Sequence, residues 1–374
     1  MEKDANRSLQ NKRHLKRLQH ILSEAVYGRT PTGHDIRFLL RLSEKEERQQ
    51  LFSAACRLRQ RYFDNKIFLY GFVYFSTYCR NNCRFCHFRR SNTALVRYRK
   101  TTPVILETVR SLVTAGVHLI DLTMGESPEF YNQGGNGFKR LADLVADVKR
   151  CSDLPVMISP GAAPDEVLAD LAGAGADWYA CYQETYNRNL FNRLRIGQDF
   201  DQRQAKKQTA KCCGMLIEEG ILTGVGESVD DILQSIAMMR QSDADQVRVM
   251  TYVPQHGASF ATATPPDPLR ELMIIAVLRL VFPDRLIPAS LDVNGLKGLK
   301  DRLDAGANVI TSLVSPGEGW AGVANHKLDI EAARRTPRSV KPILKAQGLI
   351  MATVQEYQDW IDRRKAATDS KILL

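Results

Sequence analysis

The sequence lacks any run of about 18 consecutive apolar residues, the length a helix needs to cross a bilayer, so no membrane partner is expected. Its opening residues, MEKDANRSLQNKRHLKRLQ, lack the apolar core of a secretory signal peptide. The expected compartment is the cytoplasm, where cysteines stay reduced, which counts against a disulfide framework for the eight present. No strand interleaves aromatic with basic residues in the manner of RNA-binding sheets. The net charge of +10 therefore reads as a solvated basic surface, with no nucleic-acid partner, although it could help attract an anionic small molecule or an acidic electron donor. No linker or low-complexity stretch divides the 374 residues, and a hydrophobic fraction of 44% is ample for one large core.

Residues 1–65 carry apolar positions at helical spacing in HLKRLQHILSEAV and IRFLLRLSEKEERQQLFSAACRLRQRYF, and read as a helical segment packed on the remainder of the chain. From residue 66 the rhythm changes. Strand-length apolar runs fall at 66–75, 117–123, 155–159, 177–182, 215–224, 246–252, 285–293 and 308–314. Helical patterns lie between them, the first opened by Thr102 before Pro103, and TAGV, GAGAD and DAGAN place glycine at helix exits. Eight strand–helix units in series predict an α/β fold, a parallel (β/α)8 TIM-type barrel over 66–350, with a doubly wound open sheet as the alternative. Residues 351–374 read as a C-terminal helix and tail, whose last 15 residues are polar and expected to fray.

The stretch YFSTYCRNNCRFCHFRR places Cys79, Cys83 and Cys86 in C-x3-C-x2-C spacing directly after the first strand, where barrel loops form the active face. A fourth protein ligand is missing. His87 is adjacent to Cys86, too close for a comfortable tetrahedral chelate, and the vicinal Cys212 and Cys213 form no second C-x2-C pair. Three thiolates can wrap one face of a 4Fe–4S cluster and leave one iron open to a small molecule. A Cys3His zinc site and three incidental thiols are the alternatives.

With Phe85 before the last cysteine, this motif resembles that of the radical S-adenosylmethionine (SAM) enzymes. The resemblance implies one 4Fe–4S cluster per chain, held by Cys79, Cys83 and Cys86, with SAM's amino and carboxylate groups on the open iron. It extends to TMGES, with Gly125 and Glu126, to YQETYN, with Glu184, to Arg203 in DFDQRQ, and to GILTGVGE, with Leu222. These positions, together with Phe85 and Ser159, are expected to bind SAM in the manner of the biotin synthase and hydrogenase-maturase branch. The residue types suit the ligand: an ammonium wants acids, and a carboxylate wants a guanidinium. Singly, Glu184 or Arg203 also fits an ordinary barrel-mouth ion pair.

Longer stretches, FVYFSTYCRNNCRFCHFR, DQVRVMTYVPQHG, ASLDVNGL and VITSLVSPGEGWAGVANHKLDI, resemble the lysine mutases of that superfamily, over roughly residues 65–345. The implied substrate is L-lysine, rearranged to (3R)-3-methyl-D-ornithine for pyrrolysine biosynthesis. The route begins with hydrogen abstraction at C4, passes through scission of C2–C3 and ends in recombination, and its electrons come from an external donor such as ferredoxin or flavodoxin. Asp121, Arg248, Ser290 and Asp292 are the expected substrate contacts, since one guanidinium, two carboxylates and a hydroxyl complement lysine's one carboxylate and two ammonium groups. A buried Arg248–Asp292 salt bridge and a helix-capping Asp121 are the structural alternatives. Cys56, Cys151, Cys181, Cys212 and Cys213 read as small buried hydrophobes. Asp121 occupies strand two and no cysteine lies on strand five, which disfavours the second, sacrificial cluster of a biotin synthase. Still open are another enzyme of the same branch and a zinc-binding interaction protein.

Overall fold

The computed structural model describes residues 2–132, 135–254, 267–316 and 334–372. Parts of two stretches quoted for the resemblance, at 255–257 and 317–330, lie outside them. The chain opens with helices α1 (Glu2–Val26), α2 (Gly33–Leu39) and α3 (Lys45–Phe63). The second expected helical stretch is thus broken in two. Thr32 and Asp35 start α2 with a reciprocal capping box, and the turn after it keeps Leu39, Leu40 and Leu42 buried, so the break exposes no apolar surface. These helices pack Leu18, Leu51 and Leu58 against the flank of the sheet.

The eight expected strands all form: β1 (Lys66–Ser76), β2 (Leu119–Met124), β3 (Val156–Ser159), β4 (Trp178–Ala180), β5 (Leu216–Thr223), β6 (Gln246–Thr251), β7 (Pro288–Ser290) and β8 (Val309–Leu313). They pair in parallel in the order β6-β5-β4-β3-β2-β1-β8-β7. One parallel bridge, Gln246 to Leu286, joins the two ends, so the sheet is a nearly closed barrel and not an open doubly wound sheet. β7 is shorter than its apolar run suggests. At Ser290 the chain turns into a helix, and the Ser290 hydroxyl caps it by accepting the Asp292 N–H at 3.3 Å.

The crossovers are α4 (Thr102–Ala115), α5 (Pro128–Tyr131), α6 (Gly135–Ser152), α7 (Asp165–Gly173), α8 (Arg188–Leu194), α9 (Phe200–Cys212), α10 (Val229–Gln241), α11 (Pro268–Val281), α12 (Leu291–Asn294) and α13 (Leu299–Asp304). Gly116, Gly175 and Gly306 leave their helices with φ of 87°, 101° and 105°, as the sequence pattern predicts. Aromatic and aliphatic side chains, among them Tyr70, Phe72, Met157, Trp178 and Leu216, fill the barrel.

After β8 come α14 (Pro337–Ala346), β9 (Ile350–Met351), which pairs with β1, and α15 (Val354–Ile372). Of the last 15 residues, which the sequence suggests fray, 360–372 continue α15. Tyr357, Trp360 and Ile361 are spaced to face one way and are buried at the N-terminal end of the barrel. Trp360 stacks on Trp178 with ring centroids 5.9 Å apart, the Tyr357 hydroxyl lies 2.6 Å from that of Tyr70, and Arg364 Nη2 donates to Asp245 at 2.5 Å. The opposite, C-terminal mouth is left to the loops that carry the chemistry.

Candidate active site

Cys79, Cys83 and Cys86 line one cavity of about 170 Å³ at the C-terminal mouth. Arg97 ties their loop together, donating to the carbonyls of Phe88 at 2.9 Å, Arg89 at 2.6 Å and Asn92 at 3.2 Å, and to that of Thr77. The Cys79 sulfur faces the Asn81 N–H at 3.4 Å, and Cys83 accepts from Gln198 at 2.9 Å and from Arg195 at 3.6 Å. Burial raises the pKa of Cys79 and Cys86, and the proximity of Cys83 raises both further. Three sulfurs that share dry space in this way, with N–H donors aimed at them, are suited to a cationic centre that relieves their mutual repulsion. Among the described residues no three His, Cys, Asp or Glu side chains converge on one point as the ligands of a single ion would. A cluster with several irons asks for a wider triangle than a zinc ion does. Gly125 lets the loop after β2 approach: a Cβ there would sit 2.6 Å from the Tyr78 carbonyl oxygen and 2.7 Å from Cys79 Cβ.

The expected SAM-binding residues gather beside the cysteines. Glu184 is held at φ 68°, its N–H donating to Gly220 O at 3.0 Å and its carbonyl accepting from Leu222 N at 2.9 Å. A non-glycine residue in this region costs energy and persists only where the surroundings enforce it. Burial raises its carboxyl pKa, while Arg195 and Arg203 oppose the rise. Its ion-pair partner is Arg195 at 2.7 Å, not Arg203. Arg203 donates from Nε to Tyr182 O at 2.8 Å and sits 3.9 Å from Glu126. Glu126 also receives Arg80 Nε at 2.9 Å and the Ala162 N–H at 3.2 Å. Phe85 and Leu222 form an apolar patch with Leu190, Leu194 and Val225, suited to a purine face. Glu227, the last residue of GILTGVGE, folds back onto its own loop, accepting from Thr223 at 2.5 Å and Val225 N at 2.9 Å. Arg195 and Gln198 were not anticipated. They follow α8, a seven-residue helix with no periodic signal of its own, begun by the Asn187 cap.

Of the expected substrate residues, Asp121, Arg248 and Asp292 line the same cavity, and Ser290 is not among its lining residues. Asp121 Oδ1 accepts from Thr123 at 2.8 Å and, more weakly, from Ser159 at 3.4 Å, while Oδ2 is buried without a hydrogen-bond partner. Burial, reinforced by Glu218, raises the Asp121 pKa from 3.8 to about 7. Arg248 donates from Nε to Glu218 at 2.6 Å and from Nη1 to Thr311 at 3.2 Å. Asp292 lies in the first turn of α12, two residues past the end of β7, and its Oδ1 accepts from Arg335 at 2.7 Å and from the Tyr74 hydroxyl at 3.2 Å. Arg248 and Asp292 thus each have a buried partner of opposite charge, and it is not the other. Ser290 caps α12 and lies 3.5 Å from Ser312. Glu218 and Arg335 were not anticipated. Of the remaining cysteines, Cys181 is buried just after β4 and Cys212 is exposed; all eight are free thiols.

The radical SAM superfamily pattern matches residues 73–239. The curated 3-methylornithine synthase of Methanosarcina barkeri is 43% identical over 335 residues, 90% of this chain and 94% of that protein. The FeFe hydrogenase maturase subunit HydE of Thermotoga maritima is 29% identical over 77% of this chain and 81% of its own. A crystal structure of methylornithine synthase superposes with a TM-score of 0.85 at 42% identity, covering 91% of this chain and 99% of that one. The barrel and its cysteine loop are therefore those of a radical SAM enzyme, whose cofactors are a 4Fe–4S cluster and SAM. Within that superfamily the chain belongs to the 3-methylornithine synthase family.

Proposed function

We propose that the chain is a radical SAM carbon-skeleton mutase that converts L-lysine to (3R)-3-methyl-D-ornithine, the first step of pyrrolysine biosynthesis, in the cytoplasm. A single 4Fe–4S cluster is held by Cys79, Cys83 and Cys86, and its electrons come from a donor such as ferredoxin or flavodoxin. One observation carries this reading. The three cysteines, the acid and arginine set of Glu126, Glu184 and Arg203, and the charged set of Asp121, Arg248 and Asp292 all open into one cavity.

When bound, the cluster and SAM supply a 5′-deoxyadenosyl radical that removes a hydrogen from the substrate. The chain's own residues do the rest by position. Glu184 and Glu126 accept from the SAM ammonium and Arg203 receives its carboxylate, while Phe85 and Leu222 flank the adenine. Across the cavity, Arg248 takes the lysine α-carboxylate, and Asp121 and Asp292, with Ser290, hold the ammonium groups. Breaking C2–C3 divides the substrate into two pieces that each keep a charged group, so anchors at both ends hold the pieces within bonding distance until they rejoin. The aromatic walls, Phe72, Tyr74 and Tyr182, keep water from the reacting carbons.

The test is anaerobic incubation of cluster-reconstituted enzyme with SAM, a reductant and labelled L-lysine, followed by chiral mass spectrometry. 3-Methylornithine is the expected product. SAM cleavage with no change in lysine refutes the mutase reading and favours a maturase-like substrate.

A further inference from the structure

β5 carries two adjacent acids, Glu218 and Glu219, each with no exposed surface. Alternation along a strand sends them to opposite faces. Glu219 turns outward to α9 and receives Lys207, Tyr186 at 2.7 Å and the Gln183 N–H at 2.8 Å. Glu218 turns into the barrel. Its Oε1 accepts from Arg248 Nε and from Gln246 Nε2, both at 2.6 Å, and its Oε2 accepts from the Tyr182 hydroxyl at 2.7 Å. Two of these three donors belong to side chains that line the cavity.

The consequence falls on Arg248. Its guanidinium is fixed at Nε by Glu218, at Nη1 by Thr311, and on one face by the Tyr182 ring, 5.5 Å away. Nη2 is buried and has no hydrogen-bond partner. A buried donor left in this state is costly unless a ligand completes it. With Nε engaged and one Nη1 N–H given to Thr311, Nη2 and the second N–H of Nη1 remain to grip an anion, and a carboxylate is the anion whose two oxygens match that pair. The same carboxylate of Glu218 also fixes the tilt of Tyr182 through its hydroxyl, so one acid sets both the edge and the stacking face of the guanidinium.

We infer that Glu218 is the positioning residue of the substrate site: it touches no substrate, and it aims Arg248 so that the free end of its fork meets the α-carboxylate of the amino-acid substrate. The inference rests on the lysine reading above. It assigns specificity as well. A rigid fork favours amino acids with a free α-carboxylate and discriminates against the lysine amide, which presents one oxygen and a donor of its own to Nη1 and Nη2.

The experiment uses the cluster-loaded full chain under anaerobic conditions and measures KM and kcat for L-lysine beside SAM affinity. Glu218→Gln keeps the shape and one acceptor but removes the charge, and Tyr182→Phe keeps the ring but removes one bond to Glu218. Glu218→Gln is expected to raise the KM for lysine by about tenfold or more, the effect of one charge-assisted hydrogen bond, with SAM affinity unchanged. Tyr182→Phe is expected to give a smaller rise in the same direction. In the background of Arg248→Ala, adding Glu218→Gln is expected to change the lysine KM no further, because the residue that Glu218 aims is gone. A parent-like KM in both single variants, with only thermal stability reduced, overturns the inference in favour of a purely structural pair. So does a full additional loss in the double variant, which would mean that Glu218 touches substrate itself. Failure of the parent enzyme to transform lysine is a different result, seen before any variant is made, and it removes the lysine reading along with what rests on it.

Discussion

Asp121→Asn is expected to make the substrate-free enzyme more stable at neutral pH while it abolishes lysine turnover. Asp121 is 1% exposed, and burial with the nearby charge of Glu218 lifts its pKa from 3.8 to about 7. The folded state therefore holds its proton more tightly than the unfolded chain does. Stability from this group is fully present below about pH 3.8 and is lost as pH rises through about 7. A shift of about 3 pKa units amounts to about 4 kcal/mol at 1.36 kcal/mol per unit. The asparagine carbonyl can keep the bonds from Thr123 and Ser159, but its amide nitrogen replaces the unpartnered Oδ2. An unmet buried donor costs about 1–3 kcal/mol, which leaves a net gain of about 1–3 kcal/mol above pH 8. The assay is anaerobic urea unfolding of parent and variant between pH 5.5 and 8.5 without lysine. The parent is expected to lose stability across that range relative to the variant, and the two to converge or cross near the acid end. Parallel curves would refute the reasoning, since they would mean that Asp121 does not titrate in this window.

Cys79→Ala, Cys83→Ala and Cys86→Ala are each expected to abolish cluster assembly and SAM cleavage, while Cys212→Ser and Cys213→Ser retain parent iron and sulfide content; colorimetric iron analysis after anaerobic reconstitution distinguishes them. Glu184→Ala and Arg203→Ala are expected to weaken SAM binding by about 1.5–3 kcal/mol each, the worth of a charge-assisted hydrogen bond, as read by anaerobic calorimetry, and unchanged affinity in both would remove them from the site. Trp360→Ala, which unstacks Trp178 at the closed end of the barrel, is expected to cost about 3–5 kcal/mol of stability in denaturant titration with parent SAM affinity retained in the folded fraction.

What could be read in advance divides by sequence distance. The strand–helix alternation is a local signal repeated eight times, and the cysteine motif spans eight residues, so both survive inspection without coordinates. The partners of the charged residues do not. Glu184 and Arg195 are 11 residues apart, Arg248 and Glu218 are 30 apart, and Asp292 and Arg335 are 43 apart, and only the folded chain brings each pair together. One signal was nonetheless present. Two adjacent acids inside MLIEEGIL, an otherwise apolar strand, must each find a buried cation whichever face they take. The C-terminal helix was expected, but its packing was not, for a related reason. Its polar residues dominate the composition, but Tyr357, Trp360 and Ile361 fall on one face, and that stripe is enough to seal the barrel.

The charges around the inner cavity make an argument for a monocationic substrate. Arg248 and Arg335 stand against Asp121, Glu218 and Asp292, a set with one negative charge to spare when every acid is ionised. L-Lysine at neutral pH carries one carboxylate and two ammonium groups, a net charge of +1, so the occupied site is neutral. The spare charge belongs to Asp121, the member whose proton is held to about pH 7, because Glu218 and Asp292 each have an arginine already and Asp121 has none in hydrogen-bonding contact. The empty cavity can thus stay close to neutral by keeping that proton, and on the proposed reading an arriving ammonium would displace it. A neutral amino acid such as norleucine would bring a carboxylate for Arg248, on the same reading, but no second ammonium for Asp121. Asp121 then keeps its proton, and the ion pair that lysine's second ammonium would make is forgone. On the proposed reading, selection for lysine comes from its second ammonium, which gains an ion pair with Asp121 that an uncharged side chain, leaving Asp121 protonated, does not make.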